Sequence, residues 1–233
     1  GWHMPIQYTG IVSEQKSVRE RVGIFDVSHM GQIFISGDEA SPFLSYVTTW
    51  DISKLADGDC RYCHILNDDG NISDDTIVYS FDKKNFMLVP NASMISKVFN
   101  WLLSKSKKFR VKVDNKSEDY FCIAVQGPES LRLLRQYLNV SISPFKLIKL
   151  DDLIISGTGY TGEKGYEIIG PLSECLTVWQ SFLDMGAIPI GLGARDTLRL
   201  EKGFLLSGTD FNGSQTTLES GYSWVVDLSL IHI

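Results

Sequence analysis

Two groups of residues between positions 59 and 75 have the types and spacing to do chemistry, and they imply different functions. Cys60, Cys63 and His64 form a CxxCH sequence, the spacing that attaches a c-type haem. After them, an acidic turn leads into Asp74 and Asp75. A carboxylate at the start of a strand is held rigidly enough to act on a ligand. The sequence around these two groups indicates whether a thiol site or a carboxylate site is favoured.

The thiols are the weaker candidates. They lie in a run that alternates like a strand, and haem attachment also requires an exported chain. A zinc site would need a second cysteine pair at finger spacing, whereas Cys122 and Cys175 are isolated in the sequence. We therefore expect reduced thiols, no metal site, and small buried side chains at Cys60 and Cys63.

A glycine-rich stretch at residues 157–162 matches GxGxxG, the fingerprint of dinucleotide-binding loops. That fingerprint must open a helix, because the helix N-terminus binds the pyrophosphate. Here the strand-like residues 166–169 follow instead. The glycines are therefore predicted to shape a loop or hairpin and not a nucleotide site.

The acidic pair lies on a predicted β-hairpin. Strand patterns at residues 60–66 and 76–81 flank the turn at residues 67–70. By two-residue alternation, Asp75 belongs to an apolar face with Ile77 and Tyr79, and Asp74 projects from the other face. Composition alone favours the plainer interpretation, which is a solvated turn aspartate.

Helix and strand patterns are mixed along the rest of the chain, without regular βαβ spacing. Apolar residues at helical spacing predict helices at 13–21, 38–46, 94–105, 128–138, 172–185 and 194–202. Further strands are predicted at 24–27, 32–36, 110–113, 120–126, 145–150, 153–156 and 166–169. This mixture favours an α+β fold over a doubly wound parallel sheet.

Composition excludes several classes of partner. The 233 residues carry a net charge of −6, with 43% hydrophobic and 21% charged residues. An acidic chain has no basic excess with which to bind a nucleic-acid backbone. No stretch approaches the roughly 18 consecutive apolar residues of a membrane span, and no export signal is visible. We expect a cytoplasmic protein, or one of the mitochondrial matrix if the source is eukaryotic.

Six longer stretches carry a family resemblance: GWHMPIQY, VRERVGIFDVSHMGQ, LNDDGNISDDTIVY, VQGPES, TGYTGEKGYEI and GLGARDTLRLEKGF. In this order and spacing they resemble the aminomethyltransferase (T-protein) family of the glycine cleavage system. The resemblance implies a folate-binding α+β fold over residues 1–227, in two interleaved subdomains with ferredoxin-like and Greek-key elements. The family's C-terminal β-barrel domain is expected to be absent, and residues 228–233 do not resemble the family's continuation.

The resemblance also implies roles for individual residues. Asp74, which opens the paired-acid motif, matches the family's catalytic aspartate. Glu167 closes the GYTG-containing motif and matches the glutamate that binds the pterin, and Arg195 matches the arginine of the GxGARD-type motif. The remaining positions that match residues lining the folate pocket are Asn91, Tyr62, Met30 and Tyr160.

The reaction implied is transfer of an aminomethyl carbon from lipoylated H-protein to tetrahydrofolate, with release of ammonia. Tetrahydrofolate would be a cosubstrate and H-protein the partner. Two alternatives share the fold. One is a folate-dependent demethylase or the folate domain of an amine dehydrogenase, and the other is a non-catalytic folate-binding protein of iron–sulfur assembly. Asp74 favours an enzyme, because a binding protein need not keep the catalytic aspartate.

Overall fold

The computed structural model describes residues 2–232, except for the side chains of Ile231 and His232. The described residues form two compact units, each made of two chain segments. The first unit comprises the segments Gly1–His29 and Glu118–Phe204, and the second comprises Met30–Ser117 and Leu205–Ile233. Within residues 2–232, no helix has both the length and the hydropathy needed to cross a bilayer.

Six α-helices and eleven strands are numbered here in chain order. The helices are α1 (Ile11–Glu20), α2 (Ala40–Val47), α3 (Ile95–Ser106), α4 (Ser130–Leu138), α5 (Cys175–Asp184) and α6 (Leu192–Lys202). The strands are β1 (Gly23–Asp26), β2 (Ile33–Ser36), β3 (Cys60–Leu66), β4 (Ile72–Asp82), β5 (Asn85–Leu88), β6 (Lys112–Asn115), β7 (Tyr120–Gln126), β8 (Leu147–Leu150), β9 (Leu153–Ser156), β10 (Gly165–Pro171) and β11 (Ile188–Pro189).

The first unit is built on a sheet with the strand order β11-β1-β7-β10-β9-β8. Its strand pairs are antiparallel except for the short β1–β11 pair. Central strand β7 is buried from Phe121 to its end at Gln126, which agrees with its near-continuous apolar sequence. Residues of α4 and α5, among them Leu134 and Phe182, pack with β7 in one hydrophobic core.

The second unit contains a five-stranded antiparallel sheet in the order β3-β4-β5-β2-β6. Helices α2 and α3 pack on it through buried residues such as Phe43 and Leu102. Near the end of the described chain, residues Leu228–His232 form a 3-10 helix, and position 233 lies outside the described residues. Both units combine a largely or wholly antiparallel sheet with helices, and the predicted α+β class is confirmed.

Most predicted elements are present, with boundaries that shift by a few residues. Helix α6 ends at Gly203, whose positive φ of 77° suits a glycine C-cap. Helix α4 begins at Ser130, so Pro128 precedes the helix instead of opening it. Two strands were not predicted. β5 has only four residues, and β11 has two, one of which is the proline Pro189.

Glu14 links the N-terminal segment to the starts of α1 and α6. Its Oε1 accepts backbone N–H groups from Tyr8 (2.6 Å), Thr9 (2.7 Å) and Gly10 (3.1 Å). Its Oε2 accepts the N–H of Gly191 (2.8 Å), the residue that precedes α6. Burial raises the pKa of Glu14, but these backbone donors outweigh burial, so that the pKa is lowered overall. One carboxylate thus accepts the N–H groups of both N-cap residues, Gly10 and Gly191, and of the two residues before Gly10.

We expect Glu14→Gln to lower the free energy of unfolding by about 2 kcal/mol at neutral pH, because an amide NH₂ replaces one accepting oxygen. A carboxyl with a lowered folded-state pKa stabilises the fold above its unfolded pKa and loses that effect as the pH falls through the folded value. The difference from wild type should therefore shrink in acid. Urea denaturation at neutral and acidic pH measures both effects, with the exposed Glu20→Gln of α1 as control. Equal losses for the two variants would contradict the prediction.

Candidate functional site

The acidic pair lies at the turn end of the β3–β4 hairpin in the second unit. Asp74 is opposite Ile65 and Asp75 is opposite His64, so successive carboxylates project from opposite faces of the sheet. Both are buried, with exposed fractions of 0% and 8%, which excludes the interpretation of solvated turn aspartates. Core residues such as Val78 share the face of Asp74, and the buried Tyr79 shares the face of Asp75. The predicted alternation therefore agrees with the register, although buried apolar residues lie on both faces of β4.

Asn91, in the loop after β5, bridges the two carboxylates. Its Nδ2 donates to Asp74 Oδ1 (2.9 Å) and to Asp75 Oδ1 (2.5 Å). Its backbone N–H donates to Asp74 Oδ2 (3.1 Å). The amide of Asn91 therefore fixes the positions of both acids.

The electrostatics of the pair differ from those of surface aspartates. The pKa of Asp74 is raised to about 7, first by burial and then by the charge of Asp75, against hydrogen bonds from Ser207 and Asn91. Burial also raises the pKa of Asp75, against hydrogen bonds from Tyr62 and Asn91. A carboxyl with a pKa near the working pH can both accept and return a proton, which is what general acid–base chemistry needs.

Tyr62 belongs to the same site through Asp75. Its hydroxyl donates to Asp75 Oδ2 (2.8 Å), across the hairpin from β3 to β4. The Tyr62 ring stacks on Trp224, with ring centroids 5.7 Å apart. The structure thus brings together Asp74, Asn91 and Tyr62 of the predicted site residues.

Met30 lies in the loop between β1 and β2. Its carbonyl accepts a hydrogen bond from Gln32 Nε2 (2.9 Å). The next residue, Gly31, donates its N–H to Pro90 O (2.9 Å). A Cβ on Gly31 would come within 2.8 Å of the Pro90 ring, so this approach requires glycine. The loop of Met30 therefore lies beside the loop that carries Asn91.

Three other predicted residues lie close together in the first unit. Glu167 is on β10, Arg195 is on α6, and Tyr160 is in the glycine-rich loop. The guanidinium carbon of Arg195 lies 4.6 Å from the centre of the Tyr160 ring. Burial lowers the pKa of Arg195, while the charge of Glu167 acts in the opposite direction. The first unit thus presents a half-buried carboxylate and a half-buried guanidinium beside an aromatic ring.

The glycine-rich loop is explained by packing on Gln126. A Cβ on Gly159 or Gly165 would come within 1.9 Å or 2.3 Å of the Gln126 side-chain amide. That amide is buried, donates to Thr158 O (3.1 Å) and accepts from Thr161 Oγ1 (2.9 Å). Strand β10 follows the loop, and so the GxGxxG match does not open a helix.

Sequence reasoning missed three residues that support these sites. Thr158 donates its hydroxyl to Glu167 Oε2. Ser207 is hydrogen-bonded to Asp74, and Gln126 holds the glycine-rich loop. The glutamine and threonine lie inside the motifs VQGPES and GTGYTG, where a polar residue next to glycines was an available signal. Ser207 follows α6 in an irregular segment, and no local pattern relates it to position 74.

Four cysteines are free thiols, and Cys60 and Cys63 within β3 are buried, as expected, whereas Cys175 is partly exposed. Burial raises the pKa of Cys63 to about 12, so that it stays a thiol and not the thiolate that a nucleophile or metal ligand requires. In the part of the chain that the structure describes, no three His, Cys, Asp or Glu side chains are grouped as metal ligands.

The fold and these residues define the family. The profile of the GCVT N-terminal domain matches residues 1–229, and the chain belongs to this family. It is 42% identical to an aminomethyltransferase of Halothermothrix orenii, over 97% of this chain and 66% of that relative. It is 43% identical to an aminomethyltransferase of Pseudothermotoga lettingae, over 97% of this chain and 65% of that relative. The chain thus spans about two thirds of the length of these curated relatives.

One solved structure agrees with this membership. The crystal structure of the glycine cleavage system aminomethyltransferase T from Bartonella henselae matches with a TM-score of 0.94 and 32% identity, over all of this chain and 65% of that one. A heterotetrameric sarcosine oxidase from Corynebacterium sp. U-96 matches with a TM-score of 0.55 and 14% identity, over 81% of this chain and 92% of that one. The second likeness concerns the fold alone.

We expect Gly159→Ala to cost about 2 kcal/mol of stability, because the new methyl group displaces a hydrogen-bonded, buried amide. The same substitution should cost clearly less when Gln126→Ala has removed that amide, which a double-mutant cycle in urea measures. Gly170→Ala is the matched control, since its Cβ would meet the Leu153 side chain at 2.5 Å instead. Additive effects of Gly159→Ala and Gln126→Ala would refute the packing explanation.

Proposed function

We propose that the protein transfers an aminomethyl carbon from lipoylated H-protein of the glycine cleavage system to tetrahydrofolate, with release of ammonia. The observation that carries the proposal is Asp74, a buried carboxyl with a pKa raised to about 7 and both oxygens held by Asn91. The curated relatives that bear the name aminomethyltransferase support the reaction type.

The reaction exchanges the bonds of one carbon. The methylene group loses its bonds to the lipoyl sulfur and to the amine nitrogen, and gains bonds to two folate nitrogens. The protons of the two folate amines end on the lipoyl thiol and on ammonia. In this proposal Asp74 orients a folate amine, accepts its proton, and stabilises the positive charge that develops on the carbon as ammonia leaves. The protein forms no covalent intermediate.

Tetrahydrofolate is proposed as the cosubstrate, and the polar groups of the first unit suit it chemically. A pterin has adjacent N–H donors that one carboxylate, here Glu167, can accept together. Arg195 can donate to an oxo or carboxylate group of the same molecule. The residues proposed to line the folate site are Asn91, Tyr62, Met30 and Tyr160.

The alternatives receive less support. A likeness at 14% identity to sarcosine oxidase does not favour a demethylase or a dehydrogenase, because one fold can host many reactions. A non-catalytic folate-binding protein has no use for a buried acid with a pKa near 7. Since the curated relatives are bacterial, the proposed compartment is the cytoplasm, with the mitochondrial matrix as its eukaryotic counterpart. H-protein is the proposed partner, with no nucleic acid and no membrane.

We expect Asp74→Asn to bind tetrahydrofolate with little change and to lose turnover by about 100-fold or more, the effect of removing a positioned proton acceptor. Folate binding is measured by calorimetry. Turnover is measured as the ammonia released from aminomethylated H-protein when tetrahydrofolate is added. Asp69→Asn is the matched control, because Asp69 is exposed in the turn of the same hairpin.

Each outcome of this assay has a meaning. Ammonia release that depends on tetrahydrofolate supports the transferase, and near-normal turnover of Asp74→Asn rejects the assigned role. Folate binding by the wild-type protein without ammonia release replaces the proposal with one of the two alternatives. Wild-type protein that neither binds folate nor releases ammonia rejects a folate function altogether.

A further inference from the structure

A series of hydrogen bonds extends from the acidic pair within the second unit, and the reaction proposed above assigns it no proton transfer. The series joins Asn91 Nδ2 to Asp75 (2.5 Å), Tyr62 OH to Asp75 (2.8 Å), Tyr62 OH to His64 Nε2 (3.3 Å) and His64 Nδ1 to Thr217 Oγ1 (3.1 Å). His64 is fully buried, and Asp75 and Thr217 are nearly so. These buried polar groups thus satisfy one another.

One protonation state satisfies the whole series. Because Tyr62 gives its single O–H to Asp75, its oxygen accepts from His64 Nε2–H. The other ring nitrogen of His64 then accepts the hydroxyl proton of Thr217. This is a neutral imidazole, in agreement with a pKa that burial lowers to about 4. The remaining member, Asp75, acts only as an acceptor, which is the role of an ionised carboxylate.

Aromatic packing holds the series in place. The ring of His64 stacks on Tyr222, with centroids 6.0 Å apart, and Tyr62 stacks on Trp224. Tyr222 and Trp224 come from the segment of residues 205–232, which also supplies Ser207, a hydrogen-bond partner of Asp74. The surroundings of the acidic pair therefore depend on a segment far away in sequence.

The side chains that contact or act on the pair come from three places in the described chain. Strand β3 supplies Tyr62 and Cys63, the loop after β5 supplies Asn91, and residues 205–232 supply Ser207 and Tyr222, beside which lies the acid Asp210. Burial and then the charge of Asp75 raise the pKa of Tyr222, which keeps its phenol protonated. The charge closest to Asp74 is therefore that of Asp75.

We propose that Asp75 is a positioning residue for Asp74: hydrogen-bonded by Tyr62, whose oxygen is paired with His64, it fixes the amide of Asn91 and keeps one proton within the acidic pair. Two adjacent carboxylates in a buried site do not both ionise readily, so the proton lost last is the one on Asp74. The importance of this arrangement for catalysis rests on the function proposed above for Asp74. Its effect on the proton affinity of Asp74 is independent of that function.

The test is a ¹³C NMR titration of the protein labelled at aspartate Cγ, with Asp74→Asn and Asp75→Asn used to assign the two signals. Asp75→Asn removes the neighbouring charge and retains the size of the side chain. We expect the titration midpoint of Asp74 to fall by about one pKa unit or more. Asp69→Asn, which removes the same charge from the exposed turn, should leave that midpoint unchanged.

Tyr62→Phe supplies a second, independent measurement. It removes one donor from Asp75 and keeps the ring that stacks on Trp224, so the midpoint of Asp75 should rise. A residue with a structural role only would move neither midpoint. An unchanged Asp74 midpoint in Asp75→Asn, or an unchanged Asp75 midpoint in Tyr62→Phe, overturns the proposal, and Tyr62→Phe decides alone if Asp75→Asn does not fold. The titration needs neither folate nor H-protein. Its failure can therefore be distinguished from a failure of the proposed reaction.

Discussion

A buried carboxylate must find hydrogen-bond donors, because an ionised group loses the solvation that water provides. This constraint organises both units. Glu14 is held by four backbone N–H groups, and its pKa is lowered although it is buried. Asp74 has side-chain and backbone donors from Asn91 but lies next to Asp75, and its pKa is raised. A buried carboxyl therefore stabilises the fold at Glu14. At Asp74 it remains able to exchange a proton near neutral pH.

Close packing has a comparable role around the glycine-rich loop. The side chain of Gln126 occupies the space that a Cβ on Gly159 or Gly165 would need. The middle glycine of the motif that resembles a nucleotide fingerprint, Gly159, is thus required by a protein side chain. This packing positions Tyr160, over whose ring the guanidinium of Arg195 lies.

Family membership and chemistry carry different parts of the functional conclusion. The GCVT N-terminal domain profile and the close structural likeness establish what the chain belongs to. The weaker likeness to sarcosine oxidase shows that a related fold occurs in a protein of another name, so the fold alone does not specify a reaction. What favours proton transfer here is the buried acid Asp74, whose pKa is raised first by burial and then by the charge of Asp75.

The sequence by itself determined the α+β class, most helices and strands, and the motifs that contain Asp74, Glu167 and Arg195, because these follow from local periodicity, turn residues and short motifs. Only the tertiary structure decided that both faces of β4 are covered and that both aspartates are buried. The contact between His64 and Thr217 spans 153 residues of sequence. Desolvation and neighbouring charge set a pKa, and both depend on what the folded chain brings together, which no local pattern encodes.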